Sequence, residues 1–206
     1  MKINMENRIV ITPNSGPWAS RLFMIAGAFM LINTALLWIR FLSDLQLSVL
    51  WPAIPGIIGF ASGIIGLVIL YPRASANAPL LARGGAAFAL LAAASLGAAA
   101  IWIFALSAFG GGVPDPVPQG VLALIGVFIV SMVLAFLGNA VAFLRKTGQR
   151  KIGYLLMVPI SMWVLMLAIS ISMGPGVGLS LDFYTNAMIA ASFIGLAIVL
   201  QEKVHS

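Results

Sequence analysis

The residues able to do chemistry are few, and none stands where chemistry would need it. The chain holds one histidine, His205, next to the last residue, and no cysteine. Its acids are Glu6, Asp44, Asp115, Asp182 and Glu202. General acid–base catalysis needs a titratable group held against the reacting atom, and a nucleophilic serine needs a base beside it. No such pair can be drawn from this set. Ligands for zinc, haem or an iron–sulfur cluster are lacking in the same way. A retinal Schiff base would need a lysine inside an apolar stretch, yet Lys2, Lys146, Lys151 and Lys203 all lie outside them. A proton relay would need buried carboxylates. The expectation is a chain that is not an enzyme and carries no cofactor and no metal.

The elements that would position any side chain follow from composition. The chain has 206 residues, of which 62% are hydrophobic and 8% charged. A soluble domain carries about 25% charged residues. Mean hydropathy is +1.11. Such a chain reads as an integral membrane protein with one domain. The pI near 10.4 does not require a nucleic-acid partner, because the placement of the basic residues in loops explains it.

Charges are sparse enough to act as punctuation. Arg21 to Arg40 encloses 18 uncharged residues, Asp44 to Arg73 encloses 28, and Arg83 to Asp115 encloses 31. Asp115 to Arg145 encloses 29, Lys151 to Asp182 encloses 30, and Asp182 to Glu202 encloses 19. A span needs about 20 apolar residues to cross a hydrocarbon core of roughly 30 Å. Each interval therefore holds one helix. The predicted spans are residues 20–43, 52–71, 84–109, 119–144, 152–173 and 183–201, within a transmembrane domain over 20–201. Residues 1–19 and 202–206 form short polar ends. The expected fold is an all-α six-helix bundle made of three helical hairpins.

Orientation follows from Lys and Arg. With the N-terminus inside, ten of the eleven basic residues face the cytoplasm and only Arg40 lies outside. The positive-inside rule then puts both termini in the cytoplasm of a cell-membrane protein. Trp38, Trp51, Trp102 and Tyr184 fall near one set of helix ends, and Trp18, Tyr71 and Tyr154 near the other, as two interfacial belts. The first 19 residues lack the apolar core of a cleaved signal peptide. The first span is accordingly expected to be retained.

Within the spans, small residues stand out. Gly56, Gly59, Gly63 and Gly66 fall on one face of the second helix. Ala187, Ala191 and Gly195 repeat the spacing in the sixth. Such faces let helix backbones approach closely where lipid removes any hydrophobic drive to associate. The expected role is helix packing, with a pore lining as the alternative. The expected partners of the glycine face are the alanine-rich third helix or the Ala187–Gly195 face. Asn33, at the middle of the first span, and Asn139, nearer the inner face, are expected to bond across helices. Pro159 should kink the fifth helix, and Trp163 is expected to face lipid or the core, with a cavity walled by it and Met157, Met162 and Met166 as the alternative. Arg40 and Asp44, four apart, form an expected ion pair at the outer interface. The four positive charges between Arg145 and Lys151 fit topology control, with contact to anionic lipid as the alternative.

Two functional readings remain. The first is a non-catalytic subunit, scaffold or assembly partner of a membrane complex, whose contacts are membrane lipid, other subunits or further copies of itself. The second is a transporter or channel for a small neutral solute, ion or lipid, using Asn, Ser and backbone carbonyls freed near Pro159.

Overall fold

The computed structural model describes residues 16–42, 50–109, 117–173 and 182–205. These are almost wholly helical. The helices are α1 (Gly16–Leu42), α2 (Leu50–Asn77), α3 (Pro79–Phe109), α4 (Gln119–Leu144), α5 (Arg150–Met173) and α6 (Asp182–His205). A 3-10 turn at Thr147–Gln149 joins α4 to α5. All six helices are long and apolar enough to cross a membrane.

Proline sets several of the starts. Pro17 and Pro79 stand within the first two positions of α1 and α3, and Pro52 lies in the first turn of α2. At such positions the missing N–H has no intrahelical partner to lose. Pro118 precedes α4 in extended backbone, at φ −56° and ψ 137°.

The helices run further at one end than the charge pattern predicts. α2 continues past Tyr71 to Asn77, and α3 begins at Pro79 rather than residue 84. The chain therefore reverses at Ala78 alone, where helical bonding carries on: Ala78 N–H reaches the Ala74 carbonyl and Ala82 N–H the Ala78 carbonyl, both at 3.0 Å. Similarly, α1 starts at Gly16 and α6 reaches His205. Charges and prolines mark where an apolar span ends. A helix outlasts that point whenever its backbone bonds can continue in water.

Contacts between named positions give the directions. Phe60 meets Phe128 and Asn77 meets Gln149, so α2 runs alongside α4 in the same sense. Gly120 faces Trp102 and Gly138 faces Gly85, so α3 runs antiparallel to α4. α1 lies antiparallel to α6, with Trp38 stacked on Phe183 at 6.1 Å and Ser20 bonded to Ala197. The helices form a closed circuit in which α1 packs on both α2 and α6, and α2 also touches α4. Arg73, Arg83, Arg145, Lys146, Arg150 and Lys151 gather at one end of this bundle, here called the basic end. Arg40, Trp51, Trp102 and Asp182 lie at the other.

The centre is aromatic. Phe23, Phe193, Phe136, Trp163, Phe60 and Phe128 follow one another at centroid spacings of 5.4 to 6.1 Å. They come from α1, α2, α4, α5 and α6. Offset and edge-on pairs of this kind favour a fixed arrangement beyond what area burial gives.

Candidate functional site

The interior offers two kinds of structural device: glycines that make room for a neighbouring helix, and polar side chains that bond to backbone carbonyls. The glycine face of α2 belongs to the first kind. Gly56, Gly59, Gly63 and Gly66 are all buried. A Cβ on Gly59 would lie 2.9 Å from Met30 Cγ and 3.2 Å from the Ala26 carbonyl. One on Gly66 would lie 3.0 Å from Phe23, and one on Gly63 would lie 3.2 Å from Phe193. The partner is thus α1, with one ring from α6. This corrects the expectation of α3 or of the Ala187–Gly195 face. Bulky side chains fill the glycine face, so the partner helix need not be rich in small residues.

The sixth-helix pattern also resolves differently from expectation. Ala191 is exposed, Ala187 is half-buried, and a Cβ on Gly195 would lie 3.1 Å from the Leu155 side chain of α5. The tight contact on α6 involves Ala190 instead. A Cβ on Gly27 of α1 would come within 3.1 Å of the Ala190 carbonyl and 3.2 Å of Ile194 N. Gly138 of α4 is closer still to a neighbouring backbone. Its Cβ would stand 2.9 Å from the Leu81 carbonyl and 3.2 Å from Gly85 Cα. Sequence spacing did not single out Gly27, Gly85 or Gly138. Gly85 stands beside an alanine-rich run, and that was the signal that backbone contact was available there.

One of the polar groups closes a break in helical bonding. Proline at position i leaves the carbonyl at i−4 without its N–H donor. Pro159 does this to Leu155, and Ser192 of α6 donates its hydroxyl to that carbonyl at 2.6 Å. The carbonyl that a solute could have used is therefore occupied. Ser20 of α1 donates across to the Ala197 carbonyl of α6 at 2.8 Å. Neither serine was picked out from the sequence, although the i−4 rule names Leu155 as a group in want of a donor.

Asn33 donates from Nδ2 to the Pro52 carbonyl of α2 at 2.7 Å. Its amide nitrogen lies 2.9 Å from where a Cβ on Gly56 would stand, so glycine makes the bond geometrically feasible. Asn33 pairs with the first turn of α2, nearer the end of the bundle opposite the basic one than its middle. Its Oδ1 is buried without a partner. Asn139 turns inward along its own helix, donating to the Ala135 carbonyl at 2.9 Å rather than to another helix. It is buried against Gly85. Thr34 and Ser95 also bond within their own helices, as hydroxyls in apolar surroundings commonly do.

Trp163 sits between Phe60 and Phe136, within the aromatic centre. It does not wall a cavity with the methionines. Met162 and Met166 face the other way and line an apolar groove of about 170 Å³ with Ile169, Tyr184 and Met188. Of the pair Arg40 and Asp44, Arg40 is exposed and Asp44 lies outside the described residues. Among the described residues no group of three or more His, Cys, Asp or Glu side chains comes together.

No protein-family model, no curated protein and no solved structure matches this chain.

Proposed function

We propose that the chain is a non-catalytic six-span component of the cell membrane, acting as a subunit, scaffold or assembly partner of a membrane complex. Three helical hairpins would stand with both termini in the cytoplasm. The supporting observation is the treatment of the broken bond at Pro159. In solute carriers, interrupted helices present free carbonyls and helix ends to a ligand. Here Ser192 takes the Leu155 carbonyl, and Trp163, one turn further on, is packed into the aromatic centre. A broken helical bond that is closed from within the bundle suits a static frame.

Burial supports the same reading. Half of the most apolar stretch of α2 and of α6 is buried, against 28% for α1 and for α3 and 18% for α5. The less buried helices leave broad apolar faces available to lipid or to a neighbouring protein. The orientation rests on the basic end, since Lys and Arg favour the cytoplasmic side.

Purification of the full chain in mild detergent, followed by identification of co-purifying proteins, tests the proposal. A stoichiometric protein partner is the expected result. A homo-oligomer enclosing an axial gap, with no other protein, would replace this reading with solute passage. Reporters active in only one compartment, fused after residue 206, check the orientation. Activity outside the cell would overturn it.

A further inference from the structure

We propose that the basic end carries a binding surface for the phosphate headgroups of anionic phospholipids, built by the α2–α3 and α4–α5 turns. Arg145 and Lys146 follow the end of α4, and Arg150 and Lys151 begin α5. Four positive charges within seven residues repel one another. All four are exposed, and the only acid at this end among the described residues is Glu202, itself exposed on α6. Such a segment would spread apart if nothing held it. Several contacts do hold it. Asn77, next to the α2–α3 reversal, donates to Gln149 Oε1 at 2.8 Å, and Gln149 N–H donates to the Lys146 carbonyl at 2.9 Å. Gly153 lets α5 return against α4, since a Cβ there would lie 3.0 Å from the Ala140 carbonyl. The fold thus keeps the four cations together, and Asn77 ties them to the turn between Arg73 and Arg83.

The ligand's height and chemistry come from a separate observation. Tyr154 lies one turn after Arg150, at i+4 on the same face of α5, and is 62% exposed. Trp18 is similarly exposed at this end, with the Arg21 guanidinium 5.3 Å over its ring. Tyrosine and tryptophan settle at the headgroup level of a bilayer. A guanidinium and a phenol on one face at that level match a phosphodiester, which accepts several hydrogen bonds and carries one negative charge. The inference rests on the membrane reading and holds for either orientation of the chain.

The test uses the full chain in neutral detergent. Phosphatidylglycerol, phosphatidylcholine and inorganic phosphate are each titrated, and bound lipid is counted by native mass spectrometry. Phosphatidylglycerol is expected to occupy the protein in preference to phosphatidylcholine. Arg150→Gln with Lys151→Gln should lower that preference by roughly fivefold per charge. Asn77→Ala should also lower it, with net charge unchanged. The readout is a ratio between two lipids on folded, monodisperse protein, so changes in yield or stability do not move it. Equal occupancy by the two lipids overturns the proposal. An Asn77→Ala protein with full preference overturns the clamped site and leaves only diffuse attraction. Inorganic phosphate that displaces phosphatidylglycerol as an equal competitor overturns the lipid assignment. Failure to find a protein partner leaves every one of these outcomes unaffected.

Discussion

Glycines on the second helix and those on the outer faces of the third and fourth have opposite surroundings. On α2, Gly59, Gly63 and Gly66 each have a heavy atom within 3.2 Å of where a Cβ would stand. Gly84 and Gly97 on α3 and Gly126 on α4 have nothing within 4 Å. Both sets sit in apolar helices of similar composition. A glycine in a membrane helix therefore marks close approach only when a neighbour comes from the right side. What separates the two sets is the arrangement of the other helices. The glycine face of α2 is turned to α1 and α6, whereas Gly84, Gly97 and Gly126 lie on sides of α3 and α4 that no other described helix covers.

The contrast is sharpest at the α3–α4 crossing. Gly138→Leu is expected to have the largest effect, a loss of about 3 kcal/mol or more, because overpacking is worst where the neighbour cannot move. The atoms in the way are the Leu81 carbonyl and the Gly85 backbone. Thermal unfolding in detergent, by circular dichroism, measures it. Wild-type stability in this variant would mean that α3 and α4 do not cross there. Gly59→Leu ranks second, at about 1–3 kcal/mol. Its nearest neighbour is the side chain of Met30, which can swing away, with the Ala26 carbonyl behind it. The order of the two variants is the test. A reversed order would show α1–α2 to be the less yielding contact.

This ranking also marks what the sequence could and could not convey. The six spans were legible because lipid imposes length and apolarity on each helix independently of the rest. The one-residue reversal at Ala78 was not, since helical bonding continues through a stretch that Pro72, Arg73 and Arg83 made look like a loop. The glycine face of α2 was legible as a face, being a local periodicity. Its partner was not, because Met30 and Phe23 look like lipid-facing residues when read along α1 alone. Asn33 could be named as a polar group in need of a partner. That its partner is the Pro52 carbonyl, and that Gly56 makes room for it, depends on how α1 and α2 are set side by side.

Ser192→Ala extends the comparison from bulk to hydrogen bonding. It leaves the Leu155 carbonyl, already without its helical donor, facing a methyl group. Interhelical bonds inside membranes contribute about 0.6 kcal/mol on average and up to about 1.7. The upper part of that range is expected here, near 1–1.7 kcal/mol, because the carbonyl has no other donor. Combining Ser192→Ala with Pro159→Ala restores the helical N–H and should return most of the loss. A penalty that persists in the double variant would show that Ser192 acts through packing and not through the broken bond.

The smallest effect should be of opposite sign. Gly126→Ala places a methyl group where nothing stands within 4 Å. Alanine loses less backbone entropy than glycine on entering a helix, a difference of up to about 1 kcal/mol in water. Membrane insertion already holds the segment helical, so part of that gain is spent before the bundle forms. The expected result is a change between zero and about 1 kcal/mol in favour of the variant. Gly59→Ala is the matched control, and it should destabilise, since its Cβ meets Met30 and the Ala26 carbonyl within 3.2 Å. The pair separates conformational entropy from contact, because the chemical change is the same in both. If both variants destabilised equally, glycine would be serving helix flexibility and the contrast between the two sets would collapse. If Gly126→Ala kept its unfolding temperature but lost a co-purifying protein, the open glycine on α4 would be the place where another chain's backbone comes close. The two sets of glycines would then do the same job, one within the bundle and one between molecules.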